Sequence, residues 1–170
     1  MAFEIALTGH RPDKLGGYDL QTPAYTALKA ELRRLIELAL THYDIINCHS
    51  GMALGADTLW SMAICDAKIA HSHRVLFTAE IPCATQASQW PLSAQAQYQQ
   101  LLSYADVKHV YAPTYQPSCM HLRNREMIKP CQCVIAVYNG NPRGGTANAV
   151  RYAQRLQKQI IYLKPQDYFN

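Results

Sequence analysis

Apolar positions along the chain follow two alternating rhythms, short β-branched runs and longer helical faces. Phe3–Thr8 reads as an apolar strand, and a turn-rich stretch from Gly9 to Gly17 follows it. In Ala24–His42 the residues Leu28, Leu32, Leu35, Ile36 and Leu40 recur at steps of three and four, which predicts an amphipathic helix with Glu31, Arg33, Arg34 and Glu37 on its polar face. Asp44–Cys48 is a second strand, followed by a glycine turn and a helix running to about Ala70. Arg74–Thr78 is a third strand. Glu80–Pro91 contains Pro82 and Pro91 and reads as a loop. Ser93–Tyr104 reads as a helix capped by Ser93. Val107–Tyr111 is a fourth strand, and Met120–Ile128 is a helix that ends near Pro130. Val134–Tyr138 is a fifth, buried strand, Ala147–Lys158 a helix and Ile160–Leu163 a last strand.

Strands thus alternate with helices along the whole chain. That order predicts one α/β domain over residues 1–170, with a mostly parallel sheet and helices on both faces. The chain has 170 residues, a length that suits a single sizeable core.

Three of the predicted strand-to-helix turns carry glycine: Thr8-Gly9-His10-Arg11-Pro12, the stretch from Ser50 to Asp57, and Asn141 to Thr146. In a parallel sheet such turns lie at the carboxyl ends of the strands, where helix N-termini offer free amides and a favourable dipole to an anion. One turn alone is explained by tight helix packing; three at one edge point to a phosphate-bearing ligand. The neighbouring side chains suit that chemistry. Arg11 and Arg143 can grip phosphate bidentately, and Ser50, Thr146 and the Gly144 and Gly145 amides can donate to its oxygens. Asp57 either accepts from a ribose hydroxyl or caps its helix. His10 is expected to support its turn. Met52, Gly51 and Gly55 complete the second turn, where glycine is expected to admit the ligand and tolerate positive φ. Trp90 either stacks a base or closes the core.

Composition narrows the reading. The formal charge of +4 fits a pocket for anions and falls short of a nucleic-acid signature. No apolar run reaches the roughly 20 residues of a membrane span, and Met1–Thr8 reads as a strand rather than a leader, so a cytoplasmic protein is the expectation. Six cysteines without a secretory signal are expected to be free, buried thiols. Cys48-His49 and Cys119-Met120-His121 are the soft-ligand pairs, but their spacing implies no metal site.

The motifs Thr8-Gly9-His10-Arg11-Pro12, Ser50 to Trp60, Ile81-Pro82 with Gln86 or Gln89 and Trp90, Arg123-Asn124-Arg125-Glu126-Met127, Val134 to Gly140 and Gly144-Gly145-Thr146 come in order over nearly the whole chain. Together they resemble the YpsA-like family of the SLOG superfamily, which also holds the DNA-processing protein DprA and the LOG lysine-decarboxylase-like proteins. The resemblance implies a Rossmann-like three-layer fold, a pocket for a nucleotide or nucleotide derivative, and a homo-oligomer. Asn139 stands where many relatives carry an acid. Against the LOG pattern, Arg123 falls on the arginine and Gly144, Gly145 and Thr146 on the glycine turn, while Ala149 replaces the glutamate. That makes LOG-type phosphoribohydrolase activity doubtful unless Asp57, Glu80 or Glu126 substitutes. Three functions therefore compete. The first is binding of a phosphorylated nucleotide derivative, with no certain cofactor. The second is N-glycosidic hydrolysis, with Arg123 the candidate catalytic group. The third is DprA-like binding of single-stranded DNA through Lys29, Arg33, Arg34, Arg151 and Arg155, residues whose spacing equally fits a solvated face.

Overall fold

The computed structural model describes all residues, Met1–Asn170. Six strands form one wholly parallel sheet: β1 (Phe3–Gly9), β2 (Ile46–Ser50), β3 (Val75–Ile81), β4 (Val107–Val110), β5 (Cys133–Val137) and β6 (Gln159–Leu163). Their order is β4-β3-β2-β1-β5-β6. The chain moves outward from β1 to β4, then returns to lay β5 against the other side of β1, pairing Ile5 with Cys133 and Gly9 with Val137. The sheet therefore reverses direction between β1 and β5, and a crevice opens there at the carboxyl ends.

Five helices cross over between the strands: α1 (Pro23–Leu40), α2 (Ala56–Ala70), α3 (Leu92–Leu102), α4 (Cys119–Ile128) and α5 (Gly145–Arg155). Strand alternation sorts the core into layers. Ile5 and Leu7 of β1, with Cys133, Ile135 and Val137 of β5, pack in the large cluster with α1, α2 and α3. Ala6 faces the opposite way, onto Met127 of α4 and Cys131. Val134 packs with Ile128 of α4 and with Ala149 and Ala153 of α5. The result is the Rossmann-like three-layer arrangement that the motifs implied. No helix is long and apolar enough to cross a membrane.

The predicted core of the first helix, Leu28, Leu32, Leu35, Ile36 and Leu40, is buried throughout. Boundaries moved for local reasons. Thr22, not a residue further on, caps α1, with Pro23 at the first helical position. Ser93 is no cap; α3 begins at Leu92 after Pro91, without a side-chain cap. The largest difference is β3, which continues to Ile81 and takes Glu80 out of the predicted loop into the sheet. All six cysteines are free and buried. Cys131 precedes β5, and it and Cys133 lie in separate clusters on opposite sides of the sheet. Burial pushes the Cys65 thiol up to about 12 and the Cys133 thiol up to about 11.

Candidate functional site

A cleft of about 500 Å³ lies at the sheet reversal. Its floor is the end of β1, Leu7 to Arg11, its far wall is the start of α5, Gly144 to Thr146 with Asn148, and its roof is α4. That size is within the range of small-molecule sites. Asp13, Lys14, Ala53 and Asp57 complete the lining.

The start of α5 is the most open polar feature. Gly144 has φ +101°, and no side chain caps the helix. The first amide with an internal acceptor is that of Asn148, which donates to Gly144 O at 3.1 Å. The amides of Gly145, Thr146 and Ala147 have no such partner, the usual state of a helix start that awaits an acceptor. A Cβ on Gly145 would meet nothing within 4 Å, and one on Gly144 would meet only Lys14 Nζ, at 3.5 Å. A lysine ammonium thus sits beside the positive end of a helix dipole, an arrangement that favours an anion between them.

Arg123 is 5% exposed. Its Nη1 donates to Gly51 O and to Glu80 O (3.2 Å), and its Nε donates to Asn124 Oδ1 at 2.8 Å. The side chain therefore joins the ends of β2 and β3 to α4. None of the ion pairs in the chain includes it. Burial holds it below the ordinary arginine range, and nearby Asp57 opposes that shift. Asp57 is raised by its own burial, with Arg123 pulling the other way, and its Oδ2 accepts from Ala53 N at 3.2 Å. His10 Nε2 accepts from Asn139 N at 3.1 Å, which ties the exits of β1 and β5 together. Burial keeps His10 below its usual value, so the neutral ring with its proton on Nδ1 fits this bond.

A model of the YspA SLOG family matches residues 5–168. The chain belongs to that family. It is 27% identical over 162 residues to an uncharacterised SPbeta prophage-derived protein, YoqJ, of Bacillus subtilis strain 168; the match covers 86% of this chain and 92% of that protein. Among solved structures it resembles DNA processing protein A (DprA) from Streptococcus pneumoniae, with TM-score 0.60 and 15% identity over 95% of this chain. The chain spans about half (50%) of that DprA chain, and the likeness is one of fold.

Within this SLOG chain the cleft brings together Thr8, Gly9, His10, Arg11, Asp57, Arg123, Gly144, Gly145 and Thr146 from the predicted set. Ser50, Gly51, Met52, Gly55, Asn139, Arg143 and Trp90 lie outside its lining. The second glycine turn differs most from the expectation, since only Asp57 of its proposed residues lines the cleft. Ser50 Oγ pairs with Ser61 Oγ at 2.8 Å and accepts from Met52 N at 3.2 Å, Ala53 N donates to Asp57 Oδ2 at 3.2 Å, and Ala56 N donates to His10 O at 3.1 Å. Positive φ falls on Met52 (+59°) and Gly55 (+92°), not on Gly51. A Cβ on Gly51 would clash with Arg123 Nη1, so the missing side chain makes room for that guanidinium. Asn139 and Arg143 shape their own loop: Asn139 Oδ1 accepts from Asn141 N and Asn141 Oδ1 from Arg143 N. Trp90 packs edge-on to Tyr98, with ring centroids 5.4 Å apart. It also borders a side cleft of about 110 Å³ with Tyr18, Arg11, Asp13, Ala53 and Met120, four of which line the main cleft as well. Ala149 is buried against Ile128 and Val134, so the position of the LOG glutamate faces apolar packing here.

Sequence reasoning missed Asp13, Lys14, His121, Asn124 and Asn148. Met120, Arg123, Asn124 and Met127 stand at helical steps of three and four. That spacing, applied outward from Arg123, finds Met120 and Met127, and a step of four from Met120 finds Asn124.

Below the cleft, β3 carries a second polar cluster. His49 Nδ1 meets Glu80 Oε1 at 2.9 Å and its Nε2 meets Glu4 Oε2 at 2.5 Å. Glu80 Oε2 also accepts from Tyr111 OH (2.6 Å) and His109 Nδ1 (3.1 Å), and Glu4 Oε2 accepts from Asn47 Nδ2 at 2.9 Å. Burial alone would lower the His49 pKa, but the hydrogen bonds to Glu80 and Glu4 hold it above its ordinary 6.5. Burial would raise Glu80, but His49 and Tyr111 hold it below 4.5. The His49 contribution to stability is complete below 6.5 and is lost as pH rises through its raised value; the Glu80 contribution is complete above 4.5 and is lost as pH falls through its lowered value. The thermal midpoint is therefore expected to fall as pH rises above 6.5 through the raised His49 value. His49→Gln, which cannot titrate, should have a lower midpoint and a flatter alkaline limb. Parallel limbs in calorimetric scans from acid to alkaline pH would show that His49 is not the titrating group.

Proposed function

We propose that this SLOG protein binds a nucleotide or nucleotide-derived small molecule through its phosphate, in the cleft between β1, α4 and α5. The observation that carries the reading is the unpartnered amide row of Gly145, Thr146 and Ala147 beneath Lys14. Arg11, on the floor of the cleft, supplies a second cation. The base points toward the side cleft, where Trp90 and Tyr18 offer aromatic faces. The name of the DprA relative, a DNA processing protein, is in keeping with a ligand built from nucleotides.

Binding without turnover is the better chemistry for these residues. Glycosidic hydrolysis needs a carboxyl group placed to move a proton. The acids on the cleft are Asp13 and Asp57, and Asp57 is already bonded to the Ala53 amide. Glu80 is committed to His49, Tyr111 and His109.

The test is calorimetric titration with adenosine 5′-monophosphate. Gly145→Val places a side chain in open space over the amides, so it should leave the thermal midpoint unchanged and weaken binding at least tenfold, about 1.4 kcal/mol. Chromatography of the same mixture should return intact nucleotide. Undiminished affinity in Gly145→Val would sink the assignment of the phosphate to α5, and free adenine in the mixture would replace binding with hydrolysis.

A further inference from the structure

The two basic faces of the molecule differ in one respect. On α1 every cation is answered: Lys29 pairs with Asp66, Arg33 with Glu37 and Arg34 with Glu31. Between α4 and α5 no such pairing exists. A groove of about 250 Å³ there is lined by Arg125, Arg151, Arg155 and Tyr152, and no carboxylate lines it. None of its three arginines is in an ion pair. Two of them converge on a single ring: the Arg125 guanidinium lies 5.2 Å from the Tyr152 centroid and that of Arg155 lies 5.8 Å from it. Arg151 bonds only neutral acceptors, Pro142 O at 2.8 Å and Asn148 Oδ1. Like charges gathered without a counter-ion raise the potential of the groove, and an anion there relieves the repulsion.

The groove is continuous with the cleft. His121, Asn124 and Asn148 line both. Along α5, Arg151 lies roughly 4.5 Å and Arg155 roughly 10 Å beyond Asn148 at the helical rise. A ligand whose first phosphate rests on the start of α5 can therefore extend along this groove.

We infer that the α4–α5 groove is a second phosphate subsite of the same ligand, so that the ligand carries a second phosphate group separated from the first by at least a sugar. This rests on the phosphate reading of the cleft and specifies which nucleotide derivatives it takes. The two phosphates belong either to one nucleoside or to successive units of a short oligonucleotide.

Three probes separate these cases in titrations of the full chain: adenosine 5′-monophosphate, adenosine 3′,5′-bisphosphate and the 5′-phosphorylated dinucleotide pApA. One of the two larger probes should bind about tenfold tighter than the monophosphate, the scale of a charged hydrogen bond at a partly exposed site. The bisphosphate gaining identifies a terminal second phosphate; the dinucleotide alone gaining identifies a phosphodiester. In the double variant Arg125→Gln/Arg155→Gln, whose residues lie outside the main cleft, the gain should vanish while monophosphate affinity stays the same. Equal affinity of all three probes for the unaltered chain overturns the subsite and leaves the cleft reading standing. A gain that survives in the double variant also overturns it. Failure of every probe to bind overturns the cleft reading and this inference with it.

Discussion

Arg123→Ala is expected to lower the stability of the protein by about 3 kcal/mol and to abolish nucleotide binding, because one guanidinium holds three elements together. Its loss leaves Gly51 O and Glu80 O without the donor that serves them. It also removes the cation that opposes the raised pKa of buried Asp57. Arg123→Lys keeps the charge but not the fork, and should recover only part of the loss. Urea titration measures the first effect and calorimetry with adenosine 5′-monophosphate the second. An unchanged denaturation midpoint in Arg123→Ala would show that the carbonyls find other donors and that the residue is not a structural joint.

The joining role of Arg123 explains why the site was only partly legible in the sequence. The strand–helix alternation fixes the parallel sheet, and the sheet fixes where Gly9, Gly51 and Gly145 come to lie. Arg123 stood out as the arginine of its motif, and it does reach the cleft. What it holds was not readable. Its acceptors, Gly51 O and Glu80 O, are main-chain atoms 72 and 43 residues away. Gly51 looked like a ligand glycine because glycine serves a ligand and a packed side chain by the same means, a missing Cβ. Glu80 reads as a loop residue because an acid two positions before a proline breaks an apolar run. It belongs in β3 because His49, Tyr111 and His109 satisfy it there, and those partners come from two other parts of the chain. Lys14 was hidden differently. It sits in a 3-10 turn, Pro12–Lys14, and only the fold of that turn brings its ammonium over α5.

Two of the glycine turns respond differently to the same kind of change. Gly145 faces open space, so a side chain there tests the ligand. Gly55 faces the backbone. Its φ is +92°, and a Cβ would stand 2.6 Å from His10 O and 2.9 Å from Arg11 Cα. Neither atom belongs to a side chain that can swing away. His10 O also accepts from Ala56 N, so moving the loop breaks the bond that seats α2 against the end of β1. Gly55→Ala should therefore cost roughly 3 kcal/mol or more, the sum of an unfavourable φ and a broken buried hydrogen bond. In a chain of this size that corresponds to a fall in thermal midpoint of roughly 6–12 °C. Gly17→Ala is the control. Gly17 has φ +85° with nothing within 4 Å of the added Cβ, so it reports the conformational strain alone. Its cost should be about 1–2 kcal/mol. If the two variants melt together, contact with the loop after β1 adds nothing, and packing does not account for the glycine at position 55.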